Sequence, residues 1–88
     1  MPYINQDRRN DLLPAIDSFP AIKTVGELNY VVTLLVQKFL ARQRVGYTEL
    51  NAAIGVLECA KLELYRRVVS PYEDTKIKEN GDVFLKQD

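Results

Sequence analysis

Glu58, Lys61 and Tyr65 stand three and four residues apart, a spacing that puts an acid, an ammonium and a phenol on neighbouring turns of a helix. Arg66 and Arg67 follow at once, and Tyr72 and Glu73 come within another two turns. These residue types suit an anion that carries a ring. An ammonium or a guanidinium fork meets phosphate oxygens, a tyrosine stacks on a purine or donates its hydroxyl, and a carboxylate accepts from a sugar hydroxyl. Lys61 and Arg66 are therefore the candidate phosphate ligands, Tyr65 and Tyr72 the candidate base ligands, and Glu58 and Asn29 the polar ligand contacts.

Each has a simpler explanation. Glu58 and Lys61 are spaced for a surface ion pair, with the lysine stem lying over leucines. Arg66 and Arg67 sit where a helix C-terminus attracts cations. Asn29 belongs to a polar stripe with Thr33 and Gln37, and such stripes are ordinarily solvated. Lys61 stands out because at about 100° per residue it projects from the same side as Leu50, Ile54, Leu57, Leu64 and Val68. On a core stripe a lysine needs a counter-charge, a route to water or an anionic ligand.

Other chemistry is poorly served. The chain has 88 residues, twelve basic and twelve acidic, with no histidine and a single cysteine, Cys59. Without imidazole or a second thiol, a transition-metal site has few ligands and serine or cysteine hydrolysis has no base. No intramolecular disulfide can form. Glu73 and Asp74 are adjacent and point apart on a helix, so no acid–base carboxylate pair is apparent. The four glycines are scattered singly and make no phosphate loop. Balanced charge argues against general nucleic-acid binding. The expectation is a binding protein without cofactor or metal, not an enzyme.

The elements that position these residues read as all-α: two long antiparallel helices with short flanking helices, in a single domain over 1–88 that self-associates into a homo-oligomeric bundle. Residues near Asn5 to Asp11 are expected to form a turn or two. Pro14 then starts a short helix through Ile16 to Phe19, which Pro20 ends. Thr24 and Glu27 form a capping box, and Leu28, Val32, Leu35 and Phe39 follow as an apolar stripe. Gly46 breaks that run, and Thr48 is placed to cap a third helix reaching Val69.

From Leu50 to Leu57 the third helix is apolar or small nearly all round, which calls for cover on every side. So short a chain supplies little cover, and a second subunit is the favoured source, with the short N-terminal helices of the same chain as the alternative. Ala52, Gly55 and Cys59 form a slim face for close approach. Ser70, Pro71 and Glu73 predict a turn and a new capped helix through Lys78, stopped by Asn80-Gly81. Asp82 to Leu85 are expected to form an extended arm or edge strand, and Lys86-Gln87-Asp88 a frayed end. The N-terminus lacks the basic-then-apolar order of a signal peptide. Apolar runs are too short to span a bilayer, so a cytoplasmic location is expected.

The chain resembles a family of short proteins encoded by tailed bacteriophages and many bacteria. The residues that carry the likeness are Met1-Pro2-Tyr3-Ile4, Gly26 to Tyr30, Ile54 to Arg67, Pro71 to Asp74 and Glu79 to Val83. The phage context implies one class of function. Small oligomeric phage "sponge" proteins sequester nucleotide signals of bacterial immunity, such as cyclic dinucleotides or ADP-ribose derivatives, in the host cytoplasm. An interaction module for a host or phage protein is the alternative from a different class, and a phosphodiesterase-like enzyme is the weakest of the three.

Overall fold

A computed structural model describes residues 4–85, and every regular element in them is helical. Helix α1 spans Gln6–Asp17, α2 spans Val25–Ala41, and α3 spans Tyr47–Leu64. A π-helical segment, Tyr65–Val69, leads directly into α4, Ser70–Asn80. The all-α expectation holds. The chain divides into two units, Met1–Gln37 and Lys38–Asp88, with the boundary inside α2.

In the first unit α1 is one helix where two pieces were expected. Asn5 caps it by accepting from the Arg8 backbone N–H at 2.9 Å. Gln6 to Asn10 and Arg8 to Asp11 side-chain contacts brace the first turns. Pro14 lies inside the helix, not at the start of another. Its missing donor leaves the Asn10 carbonyl without a helical partner, and it falls in the last turn, where few bonds follow. Ser18 then closes the end, its amide bonding the Pro14 carbonyl at 3.0 Å and its hydroxyl the Ala15 carbonyl at 2.8 Å.

Helix α2 begins as expected. Thr24 Oγ1 accepts from the Glu27 amide at 3.0 Å, and the Glu27 carboxylate accepts from the Lys23 amide at 2.9 Å. The predicted stripe is not the covered side. Val31, Leu34, Val36 and Leu40 are half-buried, whereas Leu28, Val32, Leu35 and Phe39 stay exposed. Apolar residues occur on several sides of α2, so periodicity alone does not select one.

The second unit is dominated by a single helical run from Tyr47 to Asn80, about 50 Å long at 1.5 Å per residue. Its start differs in detail from the expectation. Gly46 is the N-cap, Thr48 lies in the first turn, and Glu49 Oε1 accepts from the Gly46 amide at 2.9 Å. The turn expected at Ser70 is absent. Backbone angles at Val69 and Ser70 are helical, and no side chain caps α4. Gly81, at φ 86°, stops the run, its amide bonding the Ile77 carbonyl at 2.8 Å.

Pro71 explains the join. It has no N–H for the Arg67 carbonyl, four residues back, and its ring crowds that oxygen. The helix widens locally, so that Ser70 bonds the carbonyl of Tyr65, five residues back. A proline can start a helix or sit in one whose ladder opens around it. Here the second solution keeps the run unbroken.

Within this unit the helical elements that contact one another are consecutive parts of the same run. Ala53 is the one described residue that is buried, at 5% exposure. The expected core stripe, Leu50, Ile54, Leu57, Leu64 and Val68, is exposed along its length. Beyond Gly81 the arm forms no strand: Phe84 donates its amide to Asp82 Oδ1 at 2.9 Å, a local bend. Val83, Phe84 and Leu85 are exposed. The frayed end expected at 86–88 lies outside the described residues, as does the opening of the family likeness at 1–3.

Candidate functional site

Five of the six candidate residues lie on the Tyr47–Asn80 helical run. Asn29 lies in α2 within the other unit, exposed. The run brings Glu58 and Lys61 together: Lys61 Nζ stands 3.1 Å from Glu58 Oε1. This is the ion pair that the three-residue spacing anticipates. The Lys61 side chain is 69% exposed. The premise that it lies on a covered core stripe is therefore corrected, since water already solvates the charge. The slack in the sequence reading came from assigning the stripe to a core that this helix does not build around itself.

Tyr65 is one turn beyond Lys61 and 52% exposed, so its ring face is open to solvent. It is also the first residue of the π segment, and its carbonyl receives the five-residue bond from Ser70. Segments of this kind recur at functional sites, where one extra residue per turn re-aims the side chains that follow. Tyr72 illustrates the effect. In a regular helix, seven residues would return it nearly to the meridian of Tyr65; the extra residue turns it away by roughly 100°. Tyr72 instead meets Lys76, whose ammonium is 5.5 Å from the ring centroid.

Arg66 is not free to face a ligand unopposed. Its Nη2 donates to both carboxylate oxygens of Glu63, at 3.1 and 3.2 Å, and Arg67 Nε donates to Glu63 Oε1 at 3.1 Å. The hydrogen bonds from Arg67 and then Arg66 hold the Glu63 carboxyl below its ordinary value. Sequence reasoning passed over Glu63. The signal was there, because Glu63 precedes the arginines by three and four residues, the spacing for a double pair on one helix. An incoming phosphate at Arg66 has to displace or share this carboxylate.

What the run presents is a solvent-facing patch of Lys61 and Tyr65, one turn apart on one side, with Glu58 as its resident anion. Arg66 points about 100° away from Tyr65 and is held by Glu63. The run can exchange internal ion pairs for external ones at little desolvation cost, because all of the charges are wet. Among the described residues no cluster of three or more acids or thiols could hold a metal ion. Among the same residues, no helix is long and apolar enough to cross a membrane. Cys59 is exposed.

Neither the curated proteins nor the solved structures yield a match to this chain. One family model does match, over residues 1–83, nearly the whole length. The chain belongs to the family described as a domain of unknown function, DUF6899.

Proposed function

We propose that this chain is a phage-type binding protein that sequesters a phosphorylated small molecule, a nucleotide immune signal of the cyclic dinucleotide or ADP-ribose class, and so counteracts bacterial defence. It acts in the host cytoplasm as a homo-oligomeric bundle in which the long helices run antiparallel. The observation that supports this is the exposed Lys61 and Tyr65, one turn apart on the same side of the helix, with Arg66 next along the chain. Lys61 and Arg66 take phosphate, Tyr65 stacks on the base, and Glu58 reaches a sugar hydroxyl. Tyr72 and Asn29 contribute further stacking and polar contacts to the ligand.

Sequestration is favoured over turnover because the patch offers no imidazole and no paired carboxylates to move protons. Native mass spectrometry of protein purified from cells with active nucleotide signalling reads ligand and stoichiometry together. The expected result is an oligomer carrying an unmodified nucleotide that is released intact on denaturation. A hydrolysed product would make the protein an enzyme. Failure to bind any of a panel of cyclic dinucleotides and ADP-ribose derivatives would replace this reading with a protein-interaction module, for which the exposed Val83, Phe84 and Leu85 offer an apolar contact.

A further inference from the structure

One stripe of the long helix is both apolar and self-complementary in charge. Tyr47, Ile54, Glu58, Lys61 and Tyr65 fall within about 60° of one another around α3 and the start of the π segment. Tyr47 is 84% and Ile54 64% exposed, so nothing on the single chain covers the stripe. Its centre is the Glu58–Lys61 pair, with Ile54 four residues before Glu58 and Tyr65 four residues after Lys61. Reversed in direction, the order of types still matches itself: apolar, acid, base, aromatic lies against aromatic, base, acid, apolar.

We propose that this stripe is a two-fold interface on which a second copy of the chain packs antiparallel. The axis passes between Cys59 and Ala60 in height, on the Glu58–Lys61 side of the helix. There Glu58 of each copy comes level with Lys61 of the other, and Ile54 of each with the Tyr65 ring of the other. An isologous contact requires that residue i meet j while j meets i, and a single acid–base pair flanked by apolar groups meets that requirement. Charge complementarity selects this register. A parallel pairing would bring Lys61 against Lys61 and Glu58 against Glu58, and a shift of one turn would leave both charges facing apolar side chains. Leu50, Leu57, Leu62 and Val68 line the rims, all exposed on the single chain. The inference specifies the self-association within the proposed function and needs no nucleotide. Lys61 has three donors, Glu58 two oxygens and the Tyr65 ring two faces, so each can meet the other copy and keep a second donor, acceptor or face for a ligand at the rim.

Mixing two charge-reversed chains tests it. Glu58→Lys presents only cations along the stripe and Lys61→Glu only anions, so each alone should raise the dimer dissociation constant at least about tenfold. Equimolar mixing should restore a heterodimer of wild-type affinity in sedimentation equilibrium, which no effect within one chain can produce. A wild type that is monomeric at the highest concentrations measured, variants that associate as the wild type does, or a mixture that stays monomeric would each overturn the proposal. A second chain, carrying Cys59→Ser with Ile54→Cys and Tyr65→Cys, keeps both charges and should form a disulfide-linked dimer on mild oxidation; a product that stays monomeric under the same oxidation also overturns it. Because both assays run without ligand, they fail independently of the nucleotide reading.

Discussion

The backbone N–H of Ser70 bonds the carbonyl of Tyr65, five residues back along the same helix. This one bond joins α3 to α4, carries the chain past Pro71, and fixes where Tyr65 and Tyr72 point. A helix interior tolerates proline only at a cost of about 3 kcal/mol relative to alanine, partly relieved when the ladder opens around it.

Pro71→Ala returns the missing amide and should let the run revert to a regular α-helix. Stability should rise by about 1–3 kcal/mol, read as a higher midpoint in thermal or urea unfolding. If the π segment serves the ligand, nucleotide affinity should fall in the same variant, because the side chains after Tyr65, Tyr72 among them, lose their re-aimed directions. A destabilised Pro71→Ala would mean that the proline, and not its accommodation, is what the fold needs.

The glycines give opposite signs. A Cβ built at Gly55 meets nothing within 4 Å, so Gly55→Ala should stabilise the mid-helix by about 0.5–1 kcal/mol. Gly81 sits at φ 86°, where a side chain is strained whatever the space around it, and Gly81→Ala should cost about 1–2 kcal/mol. Gly55→Glu adds a charge to the slim face beside Ala52 and Cys59. It should weaken self-association if that face lies in the oligomer, and light scattering reads the difference from Gly55→Ala.

Lys61→Met should leave the fold almost unchanged, within about 0.5 kcal/mol, because the exposed pair with Glu58 contributes little. Had the lysine been buried, the same change would have raised stability. Ligand affinity should nevertheless fall by about 1.5–3 kcal/mol, the range for a hydrogen bond to a charged group, which calorimetric titration resolves. Unaltered affinity for every nucleotide that the wild type binds would remove Lys61 from the site.

Glu63 makes helix stability depend on acid. Its carboxyl is held below the ordinary value of 4.5 by Arg67 and Arg66. A group with a depressed folded-state pKa contributes stability that is complete above its unfolded value and lost as pH falls through the folded one. Helicity should therefore decline below about pH 4.5 in the wild type. Glu63→Gln should flatten that limb of the circular-dichroism titration while changing little at neutral pH. An identical acid limb in both proteins would assign the loss to other carboxylates.

Much of the local structure was legible in the residues. Thr24 with Glu27, the stop at Gly81 and the Glu58–Lys61 pair all depend on groups three or four residues apart, and the chain places them wherever the backbone is helical. The candidate site was legible in composition but not in partnership. The arginines are paired and not free cations, because the carboxylate of Glu63 precedes them by a single turn.

Sequence by itself determined that the chain is helical, where α2 starts and where the long run stops at Gly81, and which residues could meet an anion, because propensity, capping and charge spacing act over one or two turns. Only the tertiary structure decided the fate of the two prolines and the meaning of the apolar stripe. Whether Pro71 breaks a helix or widens it depends on whether the helical segments on both sides are worth keeping continuous, a cooperative balance that no short window contains. Whether Leu50, Ile54, Leu57 and Lys61 face a core or solvent depends on what is packed against them. In this chain they face solvent. A hydrophobic period identifies a face but not its neighbour, because the burial that gives the period its energy comes from residues elsewhere.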